Sequence, residues 1–301
     1  HPVDRRQRQM CIRDRSNNGV VWIATGEAHS GYILCQHVNY SQNEEPSGNV
    51  DHNPYDDVAR FVSKEHSSEA NLELPQPSDK LKERIEQQYQ VILARGNVED
   101  PMGNLTTFSY PSKGALIRPP YTSYAHFLHV LDMCDENKHV AIYMPQDPLL
   151  RSAALSVCLP RIQSQNIDLM YVEEDPSWQD DQSFEKIDIV HMSWWRDRWA
   201  IANQGDQQKG ICYLTGNNPE PKQWFNTASI QQTKFYQQRF QVLFDSFINE
   251  PRRKLRPGGI LPLLDIFRAW HNLCYQDKQG LTAAQRLGVT EQPLTLKQLL
   301  S

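Results

Sequence analysis

The stretch His139–Arg151, HVAIYMPQDPLLR, constrains this chain more than any other. Val140–Met144 is a short apolar, partly β-branched run closed by Pro145, which reads as a buried strand of an α/β sheet. Gln146-Asp147-Pro148 then sets an acid at the carboxyl end of that strand and a proline at the first position of a helix. Leu149, Leu150, Ala153, Ala154, Val157 and Cys158 give that helix an apolar face. Ligands and metals gather beyond the carboxyl ends of strands in open α/β sheets. Asp147 therefore has two readings. It caps the first N–H groups of the helix, or it is a catalytic, metal-binding carboxylate.

A chain of 301 residues, 39% hydrophobic, can bury one large core or two ordinary ones. Its six cysteines include no C-x-x-C pair, which argues against a zinc ribbon or a disulfide framework and fits a reducing cytoplasm. No run of about 18 apolar residues is present, so no membrane span is expected. The net charge of −5 weighs against nucleic-acid binding, but it is unevenly spread. Residues 226–301 hold ten Lys/Arg against five Asp/Glu, or +5, which leaves −10 on residues 1–225. A basic C-terminal part on an acidic body says more than the total.

Residues 1–15, HPVDRRQRQMCIRDR, resemble translated read-through of a sequencing adapter, and the expectation is an artefact. The rival is a basic nucleic-acid-binding arm, since five arginines fall in these fifteen residues. Under the artefact reading the chain is a fragment that has lost its true upstream sequence. Gly19–Thr25 and Gly31–Tyr40 read as a β-hairpin turned by Glu27-Ala28-His29-Ser30-Gly31. Residues 41–120 form an acidic, partly disordered insertion, with thirteen acids against six bases between Ser41 and Asp100. One helix is expected inside it, Ser78–Ala94, with Leu81, Ile85, Tyr89 and Ile92 on one face.

Tyr121–Cys134 reads as a helix that turns Tyr124, Phe127, Leu128 and Leu131 inward. Ile167–Val172, Ile187–Ser193 and Gly210–Thr215 read as further strands. Between them, Trp194–Trp199 (WWRDRW) is either a packed sheet edge or a surface that stacks bases and holds phosphates. Asn226–Asn249 is a long amphipathic helix with Phe235, Phe240, Leu243, Phe244 and Phe247. The basic loop Arg252-Arg253-Lys254-Leu255-Arg256 follows, ended by Pro257-Gly258-Gly259. Ile260–Tyr275 is a final long helix, and Thr282 caps a short one closed by Gly288.

Leu264–Val289 resembles the C-terminal end of DDE-type transposases of bacterial insertion sequences. Members carry a Phe-Arg-aromatic-aromatic-Asn helix end, a loop, then Thr-Pro-Ala-x-Arg-Leu-Gly-Leu. The matching residues are Phe267, Arg268, Trp270, His271 and Asn272, then Thr282, Ala283, Ala284, Arg286, Leu287 and Gly288, with Ala283 in place of the usual proline. Glu27–Ile33 is similar to the family's Ala-Asp-x-x-Ser-Gly-Tyr hairpin, and Gln146–Arg151 to its strand-end second acid. The three stretches together cover 39 of the 301 residues.

The resemblance implies an RNase H-like α/β domain over residues 16–301, a mixed sheet flanked by helices with a helical C-terminal end. It implies metal-dependent cleavage and strand transfer of DNA, with carboxylates holding Mg²⁺ or Mn²⁺. It also implies a homo-oligomer that pairs two DNA ends in a bacterial cytoplasm. Asp147 would be a catalytic ligand. The family's first Asp belongs upstream of the hairpin, where the adapter-like residues stand, and Glu27 reads as structural. The third acid belongs near Ser229–Tyr236, which contains none, so Glu250, in a Glu-Pro-Arg stretch resembling a family motif, is taken as catalytic. Arg252, Arg253, Lys254 and Arg256 would track the DNA backbone, with Arg268 beside them. The alternative is a decayed, non-catalytic DNA-binding relative. A third reading, an unrelated α/β enzyme using His29, His126, His129 or His139, has no nucleophile motif or Gly-rich phosphate loop behind it.

Overall fold

The computed structural model describes residues 12–13, 19–41, 80–95, 115–117, 119–179, 183–184, 186–193, 195–215, 222–248 and 257–300. The first elements are β1 (Ile12–Arg13), β2 (Gly19–Val20), β3 (Trp22–Gly26), β4 (Ile33–Val38) and β5 (Tyr40–Ser41). Then come α1 (Leu81–Arg95), β6 (Ala115–Leu116), α2 (Pro119–Asp132), β7 (Val140–Met144), α3 (Pro148–Gln163) and β8 (Ile167–Glu174). Next are β9 (Ile187–Met192), β10 (Asp197–Gln204), β11 (Gln207–Tyr213) and α4 (Lys222–Phe225). The last are α5 (Gln231–Ile248), α6 (Pro257–Leu273), α7 (Ala283–Arg286) and α8 (Leu296–Leu299). No helix among the described residues is long and apolar enough to cross a membrane. The chain divides into two compact units. One is Leu74–Val98 with Ser123–Gln231, and the other is Pro2–Glu73 with Glu99–Thr122 and Gln232–Ser301.

The first unit is built on a five-stranded mixed sheet in the order β7-β8-β11-β10-β9, which bears out an α/β fold. β7 and β8 are parallel, as a helical crossover requires, while β8, β11, β10 and β9 alternate antiparallel. β8 is buried along its whole length. β7 lies at the sheet edge, so Val140–Tyr143 are only half-buried, which corrects their reading as a buried strand. The sequence reading also missed β10. Its strand Asp197–Gln204 has one β-branched residue, Ile201, and it is buried because Ala200 and Ala202 fit beneath Met170, Phe225 and Ile230.

One sheet face carries Met170, Val172, Ala200, Ala202 and Ile211, packed against Trp178, Phe225, Ala228 and Ile230. On the other face α1 approaches closely at Gly210, where a Cβ would stand 2.9 Å from Leu81 Cδ2 and 3.3 Å from Trp199. Leu81, Ile85 and Tyr89 are buried as expected. So are Leu149, Leu150, Ala153, Ala154, Val157 and Cys158 of α3. In α2 Phe127 is buried as expected, but its buried companions are Ser123, His126 and Val130, with Tyr124 and Leu128 exposed. The helix is rotated from its expected face because small and polar residues, led by His126 edge-on to Phe127, take the inner positions.

The second unit contains the expected hairpin. β3 and β4 pair antiparallel, with an irregularity between Thr25 and Gly26. Two shorter pairs, β1–β2 and β5–β6, accompany it. Its core joins Trp22, Ile33, Val38 and Tyr40 to Tyr236 and Phe240 of α5 and to Ile260, Leu264 and Phe267 of α6. The expected helix from Asn226 begins only at Gln231, and its backbone departs from helical values at Phe244 (φ −111°, ψ 16°). Phe240 points inward, whereas Phe235 and Leu243 are exposed. Pro257-Gly258-Gly259 opens α6 instead of ending the loop before it, in keeping with proline's fitness for a first helical turn. Thr282 and Gln285 form a reciprocal capping box, and Gly288 takes the left-handed conformation (φ +76°) that closes the turn.

Candidate functional site

Asp147 sits at the β7–α3 junction in extended conformation (φ −136°, ψ 121°). Its Oδ1 accepts from the backbone N–H of Leu149 at 2.8 Å and of Leu150 at 3.1 Å. The capping role is thus realised, with both bonds on Oδ1 of the half-buried residue. Its carbonyl receives Tyr171 Oη at 3.0 Å from the adjoining strand. The carbonyl of Gln146 receives Gln88 Nε2 at 2.5 Å from α1. The turn is therefore braced from β8 and from α1.

Behind it lies a polar network that sequence reasoning did not reach. Arg151 Nη1 lies 3.0 Å from Asp197 Oδ2, and Tyr89 Oη donates to the same oxygen at 2.6 Å. Trp199 Nε1 donates to Tyr89 Oη at 3.1 Å. Burial alone would weaken the Arg151 charge, and the Asp197 carboxylate more than offsets that. Burial, aided by Asp197, raises the Tyr89 hydroxyl above its ordinary value, so it remains a donor. The available signal was Asp197 within WWRDRW, an acid flanked by arginines and aromatics. WWRDRW is divided, with Trp199 fully buried, Trp195 exposed, and Trp194 outside the described residues.

In the second unit Glu27 is structural, as expected. It accepts from Ser30 N at 2.6 Å, Ser30 Oγ at 2.5 Å and His29 N at 3.2 Å. Partial burial pushes this carboxyl up, but the bonds from Ser30 and His29 hold it below its ordinary value. The helix end Phe267–Asn272 grips the hairpin. Asn272 accepts from Ile33 N at 2.9 Å and donates to Ile33 O at 3.0 Å. His271 Nε2 meets Gly31 O at 3.1 Å, and Arg268 Nη1 donates to Leu34 O at 3.1 Å. Two stretches that resembled one family separately are thus in direct contact.

Asn272 satisfies a buried strand N–H and C=O with one side chain. Asn272→Ala should strand both and cost about 2–3 kcal/mol. Urea unfolding checks this, and a loss below about 0.5 kcal/mol would mean that water replaces the amide.

The other expected site residues divide sharply. Glu250, Arg252, Arg253, Lys254 and Arg256 lie outside the described residues. Arg268 is half-buried with one nitrogen on the hairpin. Among the histidines, His126 is buried in α2, and His139 pairs with Asp168 at 3.1 Å. Oxygen ligation by Asp147 suits Mg²⁺ or Mn²⁺. Among the described residues, however, no group of three ligating side chains includes Asp147. These residues alone do not fit a two-ion centre. Compared with protein-family models, curated proteins and solved structures, the chain matches none.

Proposed function

We propose that this chain is part of a DDE-type DNA transposase with an RNase H-like catalytic domain, acting by metal-dependent phosphodiester cleavage and strand transfer. The grip of Arg268, His271 and Asn272 on Gly31–Leu34 carries this reading. It supports treating the hairpin and the helix end as parts of one motif despite some 240 intervening residues. Asp147, oriented by its own cap at a strand end, is the proposed metal-binding carboxylate, with Glu250 as its partner. Arg252, Arg253, Lys254 and Arg256 are proposed to hold DNA phosphates without choosing sequence, and the active form is proposed to be a homo-oligomer.

The second reading, a non-catalytic DNA-binding relative, is favoured by one observation. Ser229–Tyr236, where a third acid belongs, has no carboxylate. One experiment separates the two. The full-length gene product is assayed with Mn²⁺ for strand transfer of a labelled oligonucleotide, beside its Asp147→Asn variant. The enzyme reading expects activity that falls at least about 100-fold in the variant, the upper end of losses for residues behind a metal ligand. Equal activity in both removes Asp147 from the chemistry. DNA binding without any strand transfer favours the relic.

A further inference from the structure

Arg239 of α5 is a half-buried cation that no carboxylate among the described residues neutralises. Charged side chains withdrawn from water are ordinarily paired. Its Nη1 lies 2.8 Å from His271 Nδ1. Its guanidinium carbon stands 3.6 Å from the Tyr275 ring centroid, and it also hydrogen-bonds to the Tyr275 side chain. The Tyr275 and His271 rings are parallel within 6°, their centroids 6.2 Å apart. A phenol and an imidazole thus orient the guanidinium without supplying the anion it lacks. A guanidinium has five N–H donors, and these two neighbours leave others over.

A second guanidinium stands close by. Arg286 of α7 pairs with Asp277, Nη1 to Oδ2 at 3.1 Å, and Asp277 follows Tyr275 by two residues. The Gln276–Thr282 bridge folds this loop back, so that α7 starts beside Tyr275. Burial weakens the hold of Arg239 on its proton; Tyr275 opposes this, and the charge of Arg286 adds to it. Asp277 cannot serve both arginines, because its Oδ1 accepts the N–H groups of Gln279 at 2.8 Å and Leu281 at 3.1 Å. His271, pushed down by burial to about 4, adds no charge at neutral pH. Two guanidiniums against one carboxylate leave the cluster one positive charge in excess. All of these residues belong to the second unit.

We infer that Arg239 and Arg286 form a binding site for a phosphate group, with His271 and Tyr275 fixing the first guanidinium and Asp277 the second. A phosphate supplies the missing negative charge and enough oxygens for both forks. Its source is a free phosphate ion or a phosphate of a DNA backbone. The site uses none of the residues proposed to hold metal or DNA, and it does not depend on the transposase reading.

The test is the melting temperature of the 301-residue chain in about 50 mM inorganic phosphate against chloride of equal ionic strength, beside Arg239→Gln and Arg286→Gln. Phosphate stabilises folded proteins in general by exclusion from their surface, so the reading is the difference between parent and variants. A site of roughly millimolar affinity should raise the parent's Tm by about 3–6 °C beyond the rise in either variant. Melting in chloride reports whether each variant folds, and Arg286→Gln alone suffices where Arg239→Gln does not. An equal rise in all three proteins would overturn the inference, since exclusion would account for it. The same parent-only rise in acetate would overturn the assignment to phosphate. Anisotropy with a labelled 20-base-pair duplex separates the two sources. If DNA supplies the phosphate, Arg239→Gln lowers duplex affinity and makes the salt slope shallower by about 0.9. If a free ion does, duplex binding is equal in parent and variant while the phosphate-dependent rise is lost.

Discussion

Lys209→Met is expected to destabilise the first unit by about 3–5 kcal/mol, the usual consequence of leaving a buried charge without its partner. Lys209 and Glu174 face each other across β11 and β8, both side chains wholly buried, with Nζ 3.6 Å from Oε2. Lys209 Nζ also donates to Phe225 O at 2.8 Å and lies 5.8 Å from the Trp178 ring centroid. Glu174 Oε1 accepts from Ser229 Oγ at 2.9 Å and Ile230 N at 2.8 Å, which ties the segment after α4 to the sheet. Methionine fills similar volume but leaves the carboxylate uncompensated. Lys209→Met/Glu174→Gln removes the charge and keeps an acceptor for Ser229 and Ile230, so it should be more stable than Lys209→Met alone. Urea midpoints of the three proteins check both statements. A single-variant loss under about 1 kcal/mol would mean that water reaches the pair.

Lowering the pH from 7 to 4 should remove about 3 kcal/mol through His271 alone. Gly31 O can only accept, so Nε2 carries the proton, and Arg239 Nη1, 2.8 Å away, can only donate, so Nδ1 must be bare. Burial pushes the imidazole down to about 4 from 6.5; the bond to Gly31 opposes this, while the charges of Arg239 and Arg286 add to it. Between these values the unfolded chain binds a proton that the folded chain refuses. Stability is therefore intact above about pH 6.5 and declines as pH falls towards 4. The drop from 6.5 to about 4 corresponds to about 3 kcal/mol. Carboxylates that titrate in the same range contribute equally to a His271→Gln variant, so the difference between the two pH profiles isolates the ring. Parallel profiles would show that His271 titrates normally. Arg239, whose guanidinium carbon lies 3.6 Å from the Tyr275 ring centroid, adds a smaller opposing charge to the effect of burial.

The hairpin, the strand–turn–helix around Asp147 and the apolar faces of α1 and α3 were legible because local pattern and tertiary role agree there. Trp22–Gly26 and Ile33–Val38 alternate around a turn closed by Glu27 and Ser30, and Leu149–Cys158 repeats at helical spacing. β10 was hidden because its strand character comes from neighbours, not from Ala200 or Ala202. The inner face of α2 was misread because Ser123 and His126 are buried while Tyr124 and Leu128 are not. Of the site, Asp147 and the contact partners Arg268, His271 and Asn272 could be picked from motif spacing. Their bonding could not, since Asn272 meets Ile33 across 239 residues. The Tyr89–Asp197–Arg151 network also joins residues up to 108 positions apart, beyond any local signal.

That separation of 239 residues has a temporal side. Chains emerge from the ribosome in order, at about 5–20 residues per second. The β3–β4 hairpin is therefore made roughly 10–50 s before the helix that clasps it. A two-stranded hairpin is marginal by itself. Until α6 arrives, Trp22, Ile33 and Val38 lack their aromatic partners and the Ile33 amide lacks Asn272. The nascent second unit thus carries an exposed apolar strand pair through most of its own synthesis, the interval in which a chaperone or a second nascent chain can reach it.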